Sequence, residues 1–137
     1  VAPLMKEKKW GRIINITSIL AKEPTPAMVL SATMRAGVSA FTKSISTELA
    51  EFNITVNTVC PSAVLTDRMI SLTNVSAERQ GKSYQEIIDS AVASIPAKRF
   101  STPEEIGDYV AFLASERAAY ITGISHIIDG GYSKSIF

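Results

Sequence analysis

Residues 13 to 38 read Ile13-Ile14-Asn15-Ile16-Thr17-Ser18-Ile19-Leu20-Ala21-Lys22-Glu23-Pro24-Thr25-Pro26-Ala27-Met28-Val29-Leu30-Ser31-Ala32-Thr33-Met34-Arg35-Ala36-Gly37-Val38. The periodicity changes once inside this stretch. Arg12 to Ile16 is a short run rich in β-branched residues, as a strand covered on both faces of a parallel sheet requires. Thr25-Pro26 then offers an N-cap followed by proline in the first turn, where a missing N–H costs nothing. The helix it opens is expected to run to about Phe52, with Val38, Phe41, Ile45 and Leu49 as one apolar stripe. Ala32, Ala36, Gly37 and Ala40 are small enough to let another backbone approach. Asn53 suits a left-handed C-cap.

The pattern extends in both directions. Val1 to Lys9 reads as the tail of a helix, broken at Trp10-Gly11. Ile54-Thr55-Val56-Asn57-Thr58-Val59-Cys60 is a second strand, again β-branched, and Pro61-Ser62 ends it. Residues 66 to 100 are less regular, with a polar centre from Thr73 to Ser83. Tyr84 to Ser94 carries Ile87, Ile88, Ala91 and Val92 and fits a short amphipathic helix. Thr102-Pro103-Glu104-Glu105 is a capping-box helix start, and Ile106, Val110 and Leu113 are its core stripe. Ile121-Thr122-Gly123 turns into a strand from Ile124 to Ile128, which Asp129-Gly130-Gly131 ends. Strand, helix, strand, excursion, helix, strand predicts a parallel α/β sheet with right-handed crossovers.

Composition narrows the function classes. The chain has 137 residues, enough for one domain with a core, and its hydrophobic content of 46% and charged content of 20% read as soluble and globular. A net charge of +1 argues against a general nucleic-acid binder. Lys6, Lys8, Lys9 and Arg12 form a basic cluster that reads as a solvated helix end. No apolar run approaches the roughly 18 residues a membrane helix needs, and the first residues lack a secretory pattern, so a cytoplasmic location is expected. The single cysteine, Cys60, excludes an internal disulfide and reads as a buried small hydrophobe. One histidine, His126, inside a strand and without companions, makes a metal site an unlikely expectation and packing the favoured role.

Asn15-Ile16-Thr17-Ser18 resembles the N-[IV]-[ST]-S strand end of the short-chain dehydrogenase/reductase family. Arg35-Ala36-Gly37-Val38 resembles the end of that family's Y-S-A-S-K-A-G-V helix. The resemblance covers nearly the whole chain and is strongest to 3-oxoacyl-[acyl carrier protein] reductase-like members. Gly11-Arg12-Ile13-Ile14-Asn15, Ile54-Thr55-Val56-Asn57-Thr58-Val59-Cys60-Pro61, Ile95-Pro96-Ala97-Lys98-Arg99-Phe100, Tyr120-Ile121-Thr122-Gly123 and Asp129-Gly130-Gly131 match family segments in order and spacing. The resemblance implies half of a doubly wound, Rossmann-type α/β domain. Because none of the seven glycines forms a dinucleotide fingerprint, residues 1 to 137 are expected to be the C-terminal half of a longer protein. It also implies NAD or NADP as cofactor, a ketone or secondary alcohol as substrate, and a homodimer or homotetramer.

The family's proton chemistry is altered here. Ser31 stands where the family keeps its catalytic tyrosine and Arg35 where it keeps its lysine; Ser62 replaces the glycine after Pro61. Ser18 keeps the position that hydrogen-bonds the substrate oxygen, against the alternative of a hydroxyl satisfied by backbone at a strand end. Ser31 is too short and too weakly acidic to replace a phenol, which favours a helix-surface or pocket-lining role without proton transfer. Arg35 stays protonated but offers five donors. It holds a ribose hydroxyl or a substrate carboxylate, or is an ordinary solvated helix arginine. By resemblance Asn15, Pro61, Val64 and Thr66 fall on the cofactor side, Thr66 at the position that contacts the nicotinamide amide; a plain turn after a strand is the alternative. Two functions stay open: an oxidoreductase that uses Ser18 with atypical Ser31 and Arg35, and a degenerate relative acting as a binding or oligomerisation partner.

Overall fold

Strand β2, Ile54–Pro61, is buried along its whole length. In the computed structural model, which describes residues 1–136, it lies between β1, Gly11–Ile16, and β3, Ser125–Ile128, and is parallel to both. Gly11 faces Ile54 and Ile16 faces Val59 on one side; Thr58 faces Ser125 and Pro61 faces Ile128 on the other. Alternate side chains of β2 explain why nearly every position is apolar or small. Ile54 and Val56 join Leu49 of helix α2, Val29–Leu49, while Val59 joins Ile106 and Leu113 of helix α5, Pro103–Ala114. The sheet is thus covered on both faces, as the strand composition requires.

Gly123 shows why one turn admits no side chain. Its φ is +72°, and a Cβ there would lie 2.5 Å from Ser46 Oγ on α2. Asn57, fully buried on β2, fixes the same turn: its Nδ2 donates to the Ile121 carbonyl at 2.7 Å and its Oδ1 accepts from the Ile124 N–H at 3.3 Å.

Helix α1, Ala2–Lys8, ends in a left-handed Lys9, and Asn53 adopts the left-handed cap expected of it, with φ 58°. The capping box at Thr102 and Glu105 forms as expected. Three expectations change. Thr25 makes no side-chain cap; Pro26–Met28 is a 3-10 turn, and α2 begins at Val29. The sheet-facing residues of α2 are Ala32, Thr42, Ser46 and Leu49, whereas Phe41 is 58% exposed. Small side chains let the helix lie close to the sheet, Leu49 and Ile45 of the expected stripe pack on the core, and Phe41 turns outward. The stretch read as irregular contains helix α3, Asp67–Gln80, capped by Thr66 and closed by left-handed Gly81. It leads into α4, Tyr84–Ala93, which opens with a Ser83–Glu86 capping box.

Candidate active site

β1 and β2 end side by side, and the chain beyond β1 stays fastened to its neighbour. Thr17 N–H donates to the Val59 carbonyl at 2.8 Å, and Thr17 Oγ1 lies 3.2 Å from the Sγ of buried Cys60. Ser18 leaves the strand extended and caps the 3-10 turn Ile19–Ala21, its Oγ accepting from the Leu20 N–H at 3.3 Å. That bond uses a lone pair, so Ser18 serves the backbone, and among the described residues its hydroxyl proton has no acceptor.

At the end of β2, Pro61 is buried and Val64 bridges to Ser101 while packing against the Val59–Leu113 cluster. Thr66 Oγ1 accepts from the Met69 N–H at 3.3 Å and so caps α3. Ser18 and Pro61 to Thr66 therefore lie at the carboxyl ends of parallel strands, where open α/β sheets take ligands. Asn15 lies further back. Its Nδ2 donates to Thr42 Oγ1 at 2.9 Å, and Thr58 Oγ1 donates to the same oxygen at 2.8 Å. In this arrangement Asn15 ties the sheet to α2.

Ser31 and Arg35 occupy the first two turns of α2. Arg35 Nη1 donates to Ser31 Oγ at 2.8 Å. Arg35 Nε is buried without a partner, as is Ser39 Oγ one turn on. Among the described residues Arg35 makes no ion pair; Lys6–Glu48, Arg12–Glu116 and Arg99–Glu105 are the pairs present there. A guanidinium with an unused buried donor is poised to bind an oxygen.

A cavity of about 540 Å³ opens beyond the ends of β1 and β2; Ser18 itself is not among its lining residues, but the next residue, Ile19, is. Ile19 lines it from β1's end, Ser62 from β2's end, and Met69, Leu72, Ile87 and Ile88 from α3 and α4. Ser31 and Arg35 are not among its lining residues. Sequence reasoning missed the α3 side of this wall, although Thr66-Asp67 and Gly81 carried start and stop signals for that helix. Asp129 serves its turn as expected, its carboxylate accepting from the Gly131 and Ser133 N–H groups at 2.9 and 2.7 Å. His126 packs at the side of the sheet, its Nδ1 2.9 Å from the Tyr109 hydroxyl, and burial pushes its pKa down. No group of three or more His, Cys, Asp or Glu side chains that could hold a metal occurs among the described residues.

Residues 1–133 match the family described as enoyl-(acyl carrier protein) reductase. A protein from Francisella tularensis described as a short chain dehydrogenase family member superposes with a TM-score of 0.85 at 31% identity, over 90% of this chain and 51% of that one. The chain belongs to the short-chain dehydrogenase/reductase family. Among short-chain dehydrogenases/reductases it is 41% identical to the NADPH-dependent reductase BacG of Bacillus subtilis over 97% of this chain and 51% of that protein. It is 39% identical to the 3-oxoacyl-[acyl-carrier-protein] reductase FabG of Aquifex aeolicus over 93% of this chain and 47% of that protein. The structure of YwfH, an NADPH-dependent reductase involved in bacilysin biosynthesis, superposes with a TM-score of 0.90 at 40% identity, covering 98% of this chain and 52% of that one. The chain spans about half the length of the curated short-chain dehydrogenases/reductases it matches. No helix among the described residues is long and apolar enough to cross a membrane.

Proposed function

We propose that this chain forms the Ser18-bearing half of an oxidoreductase that moves a hydride between NAD(P)H and a ketone or secondary alcohol. The observation that carries the reading is the uncommitted Ser18 hydroxyl at the carboxyl end of β1, one residue before Ile19 of the wall of a cavity of ligand size. NADPH is favoured over NADH because BacG and YwfH are described as NADPH-dependent. The residues present suit a dinucleotide: Arg35 Nε is an orphaned buried donor where the family keeps its ribose-holding lysine, and Thr66 keeps a free hydroxyl proton beyond β2. Arg35 and Thr66, with Val64 and Pro61 shaping the approach, are the residues assigned to hold it. When bound, the nicotinamide supplies the hydride.

The chain's own part is to hold and polarise. Ser18 donates to the carbonyl oxygen, where negative charge develops as the hydride arrives at carbon. A guanidinium is a hydrogen-bond donor and not a proton shuttle, so the part assigned to Arg35 is to hold. The proton that completes the alcohol comes from water or from a group on the substrate, since Ser31 is too weak an acid to give it. Ser18→Ala in the full-length protein tests this: kcat falls by on the order of 100-fold for the loss of one oxyanion donor. Unchanged reductase activity would remove Ser18 from the mechanism.

One observation favours a second reading, a catalytically degenerate relative that serves as a binding or oligomerisation partner. Arg35 spends a donor on Ser31, so the two altered positions satisfy each other. Reduction that arises only in the Ser31→Tyr/Arg35→Lys double variant supports that reading. For either function we assign a cytoplasmic homodimer or homotetramer, on the family's habit and on the outward Val29, Leu30, Met34 and Phe41 of α2, each at least 58% exposed. We further assign residues 1–137 to a single partial Rossmann-type domain.

A further inference from the structure

We propose that the substrate is an uncharged ketone with an apolar body, seated between α3, α4 and the ends of β1 and β2. This rests on the oxidoreductase reading above and names the substrate class for the same site.

No charged side chain lines the cavity. Its walls are mostly apolar, Ile19, Met69, Leu72, Ile87, Ile88 and Phe100 among them, and Tyr132 also lines it. Two of the hydroxyls that reach it are turned back on their own helices. Thr73 Oγ1 donates to the Met69 carbonyl at 2.8 Å, Ser94 Oγ donates to the Ala91 carbonyl at 3.0 Å, and Ser76 Oγ accepts from Gln80 at 2.7 Å. A polyol entering here would give up hydration for a wall that is mostly apolar, and a carboxylate or phosphate would meet no counter-charge. An alkyl or alicyclic body loses nothing and gains the full benefit of leaving water. Ile19 directly follows Ser18 in the chain, which places this wall at the same end of β1 that carries the Ser18 hydroxyl.

The test uses the full-length protein with NADPH and the series 2-butanone, 2-hexanone and 2-octanone, with pyruvate and L-sorbose as charged and polyhydroxy rivals. We expect kcat/KM to rise about three- to fourfold per added methylene, and both rivals to be poorer than 2-hexanone. Leu72 is 53% exposed at the rim, so Leu72→Asp adds a charge without hollowing the core and should flatten the rise. A flat series, or a rival that outruns the long ketones, overturns the proposal. Binding of the product analogue 2-octanol, followed by ligand-observed NMR without turnover, separates the two claims. Binding that Leu72→Asp abolishes, with no ketone reduced, sinks the oxidoreductase reading alone. Reduction of 2-butanone with no 2-octanol binding sinks the apolar-substrate proposal alone.

Discussion

Arg35 reaches back one helical turn and donates to Ser31 across 2.8 Å, so the residues at the two positions where the resemblance leads one to expect a lysine and a tyrosine are bonded to each other. On that reading the pair presents a hydroxyl and a guanidinium in place of a phenol and an amine. Neither of those groups is a general acid or base in the range where an enzyme is assayed. We therefore expect the kcat/KM profile of the full-length protein to show no ionisation from this pair between pH 6 and 9. Ser31→Tyr/Arg35→Lys should introduce one, because a cation lowers a neighbouring phenol's pKa toward that window. A limb in the wild type that Arg35→Met removes would show that Arg35 takes part in proton transfer.

Thr42 is 1% exposed and accepts from both Asn15 and Thr58. Thr42→Val keeps the volume and strands two buried donors, each costing about 1–3 kcal/mol. Urea denaturation of the full-length protein should show a stability loss of about 2–4 kcal/mol with an unchanged m value. A loss under about 0.5 kcal/mol would mean that water or a shifted rotamer replaces the acceptor.

Burial pushes the pKa of His126 below its ordinary 6.5. The unfolded chain then takes up a proton that the folded chain resists, so stability is complete above pH 6.5 and falls as pH drops through and below it. Urea midpoints between pH 8 and 5 should decline more steeply in the wild type than in His126→Gln. Parallel curves would show that His126 titrates alike in both states.

Glu105 has the opposite sign. Its hydrogen bonds from Arg99, and then from the Thr102 N–H, lower its pKa from 4.5 to about 2. The folded state favours the carboxylate, so this contribution is present above pH 4.5 and is lost as pH falls toward about 2. Glu105→Gln should lower stability at pH 7 and narrow the gap from wild type at pH 3, read from thermal midpoints.

The strands were legible because burial on both faces leaves a simple compositional mark, and Ile54 to Pro61 carries it throughout. Helix α5 was legible because its Thr102–Glu105 box is a local device. Helix α3 was not, since only Thr73 and Ala77 of it are buried and its Met69 and Leu72 face a cavity rather than the core. The α2 stripe held at Ile45 and Leu49 and failed at Phe41, while close packing on the sheet also selects Ala32, Thr42 and Ser46. Ser18, Ser31 and Arg35 could be placed by motif order. The Arg35–Ser31 bond, the orphaned Arg35 Nε and the wall between α3 and α4 depend on three-dimensional proximity that no spacing encodes.

Cys60 is wholly buried, and its sulfur rests against Thr17 where β1 and β2 finish together. A thiol reagent can reach it only when those two ends part. The ratio of its modification rate to that of a free thiol therefore measures how often this edge of the sheet breathes, in the same units as hydrogen exchange. The chain thus carries, one residue before Pro61, its own clock for the opening of the place where a ligand would bind.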